Sequence, residues 1–144
     1  MNLRRLILLN KLETLHKTVE NGAMYGGRCG TRARELAWTA RKLGEKADIY
    51  LVESTGDRLL NPPLGLFGPT PFDKGVWYYH EAVLIDDEVW DPNLGVPVLE
   101  DGYLDRGFHE ATGNEKIKSF SPFNPFERSN FRYMIERLIN NSAA

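Results

Sequence analysis

Three residues of this chain have side chains that together could perform acyl transfer: Cys29, His80 and Asp91. Cys29 is the single cysteine and lies in the sequence Gly-Gly-Arg-Cys-Gly, and His80 and Asp91 follow it in that order. A thiol nucleophile needs a base to take its proton, and the base needs a carboxylate to orient it. The residue types and their order therefore predict a small cysteine-dependent acyl-transfer enzyme.

Each of the three residues has an expected role. A cysteine attacks a carbonyl only as thiolate, so a catalytic cysteine needs a cation or helix N-terminal amides beside it. We expect His80 to hold the thiolate as an ion pair and to protonate the leaving amine, and Asp91 to fix the imidazole tautomer. Amides of the first helical turn, with the N–H of Cys29 first among them, are expected to stabilise the oxyanion. Water or an amine can resolve the thioester, and the sequence leaves both routes open.

Two amphipathic helices are predicted in the first third of the chain. The first covers residues 2–20, with an apolar face expected from Leu3, Leu6, Ile7, Leu12, Leu15 and Val19. The second begins at or just after Cys29 and ends near Gly44, and its buried stripe is expected to be Ala33, Leu36, Ala37, Ala40 and Leu43. A glycine-rich stretch at 21–28 joins them. Cys29 is therefore expected at the first turn of the second helix.

A predicted β-hairpin brings the histidine and the aspartate together. Strands are expected at Asp48–Glu53, Val76–Ile85 and Glu88–Asp91, with Asp86 and Asp87 forming the turn of the hairpin. Counting outward from this turn makes His80 and Asp91 cross-strand neighbours. Further short strands are predicted at Val96–Leu99 and Ile117–Phe120, and a final helix at Glu127–Asn140. Residues 54–75, rich in Pro, Gly and apolar side chains, form either a lid over a site or a cover for the core.

Two segments carry a resemblance to a known superfamily. The segment Gly-Arg-Cys-Gly-Thr-Arg-Ala-Arg-Glu-Leu-Ala and the segment Tyr-His-Glu-Ala-Val-Leu-Ile-Asp-Asp-Glu-Val-Trp-Asp-Pro resemble the cysteine helix and the His–Asp strands of papain-like and transglutaminase-like proteins. The resemblance covers about residues 24–93. It implies an α+β fold with a papain/transglutaminase-like core, in which the helix of the catalytic cysteine packs on an antiparallel β-sheet. In size and compact triad spacing the chain is similar to small papain-fold bacterial toxins that deamidate glutamine.

The sequence differs from the family around the cysteine. Papain-like proteases usually carry a glutamine several residues before the cysteine as an oxyanion donor, and positions 21–28 contain none. Asn21, Tyr25 or backbone amides are therefore candidates for the oxyanion site, and Arg28 is a candidate at the substrate rim that could assist thiolate formation. Transglutaminase-like members often have a tryptophan beside the cysteine, where this chain has Arg28 and Gly30.

Three alternatives stay open at this stage. One is a cysteine protease of papain-like fold instead of a deamidase or transglutaminase-like enzyme. Another is a non-catalytic binding module on the same scaffold, which would present the apolar residues of 59–72 to a partner, because a fold does not guarantee a function. The last places the base at His109, in the sequence Gly-Phe-His-Glu.

Composition narrows the class of protein. The chain has 144 residues, enough for a single domain spanning 1–144, and its net charge of −2 gives no general attraction to nucleic acid or anionic lipid. Scattered Cys and His residues lack zinc-site spacing, so we expect no metal and no cofactor. We expect a protein substrate and no membrane span, and place the chain in the cytoplasm or on a secretion route without a signal peptide, as for a bacterial effector or toxin. The oligomeric state is not predicted.

Overall fold

The described part of the chain folds as helices packed on a five-stranded antiparallel sheet. The computed structural model describes residues 2–20, 29–54, 79–108 and 115–123. Within these ranges the elements are, in chain order, α1 (Leu3–Glu20), α2 (Cys29–Lys42), β1 (Ala47–Glu53), β2 (Tyr79–Ile85), β3 (Glu88–Trp90), β4 (Pro97–Leu99), α3 (Glu100–Gly107) and β5 (Lys116–Phe120). The strand order is β4-β3-β2-β1-β5, and every pairing is antiparallel. The predicted α+β class with an antiparallel sheet is confirmed.

The central strands β1 and β2 are buried on both faces. In β1 the side chains of Ile49, Tyr50, Leu51 and Val52 are each at most 2% exposed. Branched and aromatic side chains of this kind suit a pleated strand with packing on both sides. Because successive side chains of a strand point to opposite faces, β1 contributes alternately to two separate cores.

One core lies between the sheet and the first two helices. α2 packs on β1 and β2, and α1 packs on α2. Four of the five residues predicted for the stripe of α2 are fully buried: Ala33, Leu36, Ala37 and Ala40. The fifth, Leu43, is partly buried and follows the end of the helix at Lys42. Small alanine side chains on this stripe let the helix backbone approach the sheet closely. The helix that begins with Cys29 is therefore held against the strand that carries His80.

The expected apolar face of α1 is partly wrong. Leu12, Leu15 and Val19 are buried as predicted, together with Leu8, but Leu3, Leu6 and Ile7 are exposed. Residues 8, 12, 15 and 19 follow helical spacing and lie on one side, whereas residues 3, 6 and 7 fall on the far side of the helix at 3.6 residues per turn. Tertiary packing selects the first set as the buried face.

The second core lies on the other face of the sheet, beneath α3. Tyr103 and Phe108 pack there against Tyr50, Val52, Ala82 and Val89. The sequence analysis predicts no helix between the strands at 96–99 and 117–120, so α3 is an element that it missed. The acidic residues Glu100 and Asp101 in its first turn and Arg106 in its last are the charge pattern that favours a helix.

The ends of several elements differ by one or two residues from the predicted ends. β3 ends at Trp90 and not at Asp91, β4 begins at Pro97 and β5 at Lys116. The predicted start of the histidine strand at 76–78, the proposed lid at 54–75 apart from Ser54, and the final helix at 127–140 lie outside the described residues.

Candidate active site

Cys29 is the first residue of α2. Its side chain is partly exposed and its thiol is free. The first four N–H groups of a helix have no partner within the helix, and the aligned peptide dipoles place partial positive charge at this end. The 14-residue length of α2 is enough for that charge to be developed. The thiol is thus placed where an anionic sulfur, or an oxyanion formed beside it, is stabilised.

His80 and Asp91 are joined across the β2–β3 hairpin. Val83 lies opposite Trp90 and Ile85 opposite Glu88, so Asp91, the residue after β3, falls diagonally across from His80 on the same face. His80 Nε2 donates to Asp91 Oδ2 at 2.9 Å. Both side chains are at least 97% buried. The tight turn at Asp86, which adopts a φ of 55°, sets this register.

Asp91 accepts hydrogen bonds at both carboxylate oxygens. In addition to His80, the Tyr103 hydroxyl donates to Oδ2 at 2.6 Å, and the backbone N–H of Asn93 donates to Oδ1 at 2.9 Å. The backbone carbonyl of Asp91 accepts from the N–H groups of Leu94 and Gly95. A buried carboxylate without such partners would be strongly destabilising. Three donors therefore hold the Asp91 side chain in one orientation.

The turn after Asp91 is held from the opposite side by α1. His16 Nδ1 lies 2.7 Å from the backbone oxygen of Pro92. Gly95 adopts a φ of 77°, and a Cβ at this position would lie 2.8 Å from the His16 ring. Only glycine combines that backbone conformation with so close an approach. The turn, and with it Asp91, is thus tied to the packing of α1.

The hydrogen-bonded pair shifts both of its pKa values. Burial alone would lower the pKa of His80, but the charge and hydrogen bond of Asp91, together with hydrogen bonding and charge from Cys29, raise it to about 10. Burial alone would raise the pKa of Asp91, but the charge and hydrogen bond of His80, with the hydrogen bonds from Tyr103 and Asn93, lower it. His80 is therefore an imidazolium at neutral pH, with Asp91 as its carboxylate partner and Cys29 beside it.

An aromatic wall closes the buried side of this pair. The Phe108 ring meets the His80 ring edge to face at a centroid distance of 5.8 Å, and it meets Tyr103 at the same distance. Tyr50 contacts Tyr103 edge to face at 5.6 Å. These rings keep water from the His80–Asp91 hydrogen bond, which strengthens it electrostatically.

A second buried carboxylate lies next to His80 in sequence. Glu81 is fully buried, and its Oε2 accepts from Arg34 Nη1 at 2.5 Å. The same Nη1 donates to the backbone oxygen of Gly30 at 3.1 Å, which ties the start of α2 to β2. Burial raises the pKa of Glu81, and the charge and hydrogen bond of Arg34 oppose that rise. Among the described residues Glu81 Oε1 has no hydrogen-bond partner.

The structure brings together the three residues on which the sequence prediction rests: Cys29, His80 and Asp91. The candidate rim residues Asn21, Tyr25 and Arg28, and the alternative base His109, lie outside the described residues. Sequence reasoning missed Tyr103 and Phe108. The acidic first turn and the basic last turn of α3 were the signal that could have identified the helix carrying Tyr103, whereas Phe108 follows that helix in extended backbone and had no such signal.

The part of the chain that the structure describes contains neither a metal-site cluster nor a membrane-spanning helix. No group of His, Cys, Asp and Glu side chains there has the arrangement of a metal site. None of the described helices combines the length and the apolar character that crossing a bilayer requires.

Comparison of the chain with protein-family models, with curated proteins and with solved structures found no match.

Proposed function

We propose that this protein is a cysteine-dependent acyl-transfer enzyme with a Cys29-His80-Asp91 triad on a papain/transglutaminase-like core. It acts on protein amides through a thioester, and the reaction we propose is deamidation of glutamine side chains. The observation that carries the proposal is the convergence of the single cysteine, at a helix N-terminus, on a buried histidine that is hydrogen-bonded to a buried aspartate. The choice of glutamine rests on the resemblance to small papain-fold deamidases.

The arrangement of the imidazole supports this assignment of roles. Nε2 is bonded to Asp91, so Nδ1 is the ring nitrogen that can exchange a proton with Cys29. The raised pKa of His80 favours the imidazolium, which stabilises a neighbouring thiolate. Asp91 keeps the ring oriented and offsets its charge in the buried site.

The proposed reaction proceeds in two steps. In the first, the Cys29 thiolate attacks the amide carbonyl carbon, the C–N bond breaks, and the nitrogen takes a proton from His80 and leaves as ammonia. The N–H groups at the start of α2 stabilise the tetrahedral oxyanion. In the second, His80 takes a proton from water, the hydroxide attacks the thioester, and the C–S bond breaks to release glutamate and regenerate the thiolate.

The test is a comparison of three reactions on one mixed protein substrate, such as casein. Ammonia release without new peptide N-termini is expected from the wild type and is lost in Cys29→Ala and His80→Ala. New N-termini would instead indicate a protease, and incorporation of a primary amine would indicate transfer. Undiminished ammonia release by Cys29→Ala would overturn the proposal.

A second test needs no substrate. Because the chain has one cysteine, the rate of iodoacetamide alkylation reports on Cys29 alone. We expect the wild type to react faster than His80→Ala near neutral pH, since a neighbouring imidazolium stabilises the reactive thiolate. Equal rates in the two proteins, at every pH tested, would remove the basis for an activated thiol.

A further inference from the structure

Tyr103 has the geometry of a group that acts on the catalytic pair through Asp91. Its hydroxyl donates to Asp91 Oδ2 at 2.6 Å, and this is the same oxygen that accepts from His80 Nε2 at 2.9 Å. Tyr103 is fully buried. An apolar side chain could fill this core position equally well. Burying a hydroxyl there costs desolvation free energy, which its hydrogen bond must offset.

We propose that Tyr103 is a positioning residue, whose hydroxyl fixes the Asp91 oxygen that orients His80 toward Cys29. This inference rests on the proposed function, and it adds a fourth member to the chain of interacting groups. The Asn93 N–H holds the other oxygen, Oδ1, so the hydroxyl is what fixes the rotation of the carboxylate on the side that faces His80. The order of Cys, His and Asp in the sequence does not reveal that His80 and Tyr103 share one oxygen of Asp91.

The position of Tyr103 in the fold explains how the hydroxyl is aimed. α3 follows directly after β4, and the N–H of Glu100 donates to the backbone oxygen of Asp87 in the hairpin turn at 2.8 Å. This bond anchors the start of α3 to the hairpin that carries His80 and Asp91. Edge-to-face contacts with Tyr50 and Phe108 then fix the ring plane of Tyr103. The bond at the start of α3 and the contact with Phe108 just after its end together keep the hydroxyl at Asp91.

A matched pair of variants separates this role from packing. Tyr103→Phe removes the hydroxyl and keeps the ring. Tyr50→Phe removes a hydroxyl from the same aromatic cluster, and that hydroxyl interacts with Glu100 instead of Asp91. We expect Tyr103→Phe to slow alkylation of Cys29 at pH 7 by about 10-fold, since a hydrogen bond to a buried charge is lost, while Tyr50→Phe stays within about 2-fold of the wild type.

A double variant tests whether Tyr103 acts through Asp91. If it does, Tyr103→Phe adds no further loss once Asp91→Asn is present, because the carboxylate that it positions is gone. Two results would show that the hydroxyl contributes only to packing and would overturn the inference. One is a double variant whose fold-loss in alkylation rate is the product of the two single losses, and the other is an equal effect of Tyr103→Phe and Tyr50→Phe.

Nuclear magnetic resonance gives a readout that does not depend on the reactivity of the thiol. The Nε2 proton of His80 is expected to shift in Tyr103→Phe and to stay in place in Tyr50→Phe, because the first variant alone changes the oxygen that accepts it. If Tyr103→Phe does not fold, 3-fluorotyrosine at position 103 keeps the shape and changes the acidity of the hydroxyl, and an unchanged resonance there would again overturn the inference. Equal alkylation rates of wild type and His80→Ala contradict the proposed function. If instead His80→Ala reacts more slowly and Tyr103→Phe reacts like the wild type, only the inference about Tyr103 is contradicted.

Discussion

Asp91 and His80 lie 11 residues apart in sequence and are joined by a 2.9 Å hydrogen bond between neighbouring strands, with both side chains buried. The tight turn between the strands makes this contact local, and three donors to Asp91 make it rigid. The orientation of the imidazole is therefore fixed by the fold itself.

Replacement of Asp91 by asparagine is expected to slow both amide turnover and Cys29 alkylation. The amide has nearly the shape of the carboxylate but carries no charge and favours the other tautomer of the imidazole. We expect a loss of about 10²-fold or more in kcat, with a smaller change in KM. Steady-state kinetics on the casein substrate and iodoacetamide rates at pH 7 measure it. Kinetics equal to those of the wild type would mean that Asp91 serves only the fold.

The pH dependence of stability should reveal the titration of His80. Its pKa is about 10 in the folded protein and about 6.5 when unfolded, so its contribution is complete below pH 6.5 and is lost as the pH rises toward 10. We expect the free energy of unfolding to fall between pH 7 and 9, by at most about 1.4 kcal/mol per pH unit from this group. Urea unfolding at constant ionic strength measures the slope, and His80→Gln serves as the control. Identical slopes in the two proteins would contradict the raised pKa.

At low pH the His80–Asp91 pair affects the free energy of unfolding through the titration of Asp91. Its pKa is lowered in the folded protein, so the stabilisation is present above the unfolded value of about 3.9 and is lost as the pH falls below it. Acid unfolding of the wild type is expected to show a contribution that Asp91→Asn lacks. The two proteins are compared after correction for their difference in unfolding free energy at pH 7. If their acid transitions then coincide, Asp91 is not stabilised as an anion.

Removal of Arg34 is expected to destabilise the protein, because it leaves the carboxylate of Glu81 buried and unpaired. The Arg34 side chain is 20% exposed and that of Glu81 is fully buried, so we expect a loss of about 2–3 kcal/mol, less than for a fully buried pair. The matched double variant Arg34→Ala with Glu81→Gln should recover part of this loss, since a neutral amide costs less to bury. Chemical unfolding of the three proteins measures it, and a double variant no more stable than Arg34→Ala would contradict the explanation.

Gly95 and Gly102 are expected to respond in opposite directions to replacement by alanine. At Gly95 the φ of 77° and the His16 ring, 2.8 Å from an added Cβ, oppose a side chain, so Gly95→Ala should cost about 1–3 kcal/mol. Gly102 lies inside α3 with open space at its Cβ position, so Gly102→Ala should stabilise by up to about 1 kcal/mol. Thermal unfolding midpoints compare the two. A harmless Gly95→Ala would show that the turn after Asp91 can move away from α1.

The elements that could be predicted are those whose signal lies within a few residues. The buried stripe of α2 follows from the spacing of Ala33, Leu36, Ala37 and Ala40, and the His80–Asp91 contact follows from a hairpin with a short turn. The start of α2 at Cys29 agrees with the expectation from the glycines that precede it. In each case the pattern of neighbours along the chain determines the local structure.

Local sequence patterns are therefore enough to predict a cysteine at a helix start and a histidine paired with an aspartate across a hairpin. The interaction of Cys29 with His80, the hydrogen bond from Tyr103 to Asp91 and the choice of buried leucines in α1 depend instead on how distant elements pack. These contacts join elements far apart in the chain, and many alternative packings satisfy the same local patterns. The choice among them is made by the simultaneous burial of two helices on one face of the sheet and of α3 on the other, which no short segment encodes.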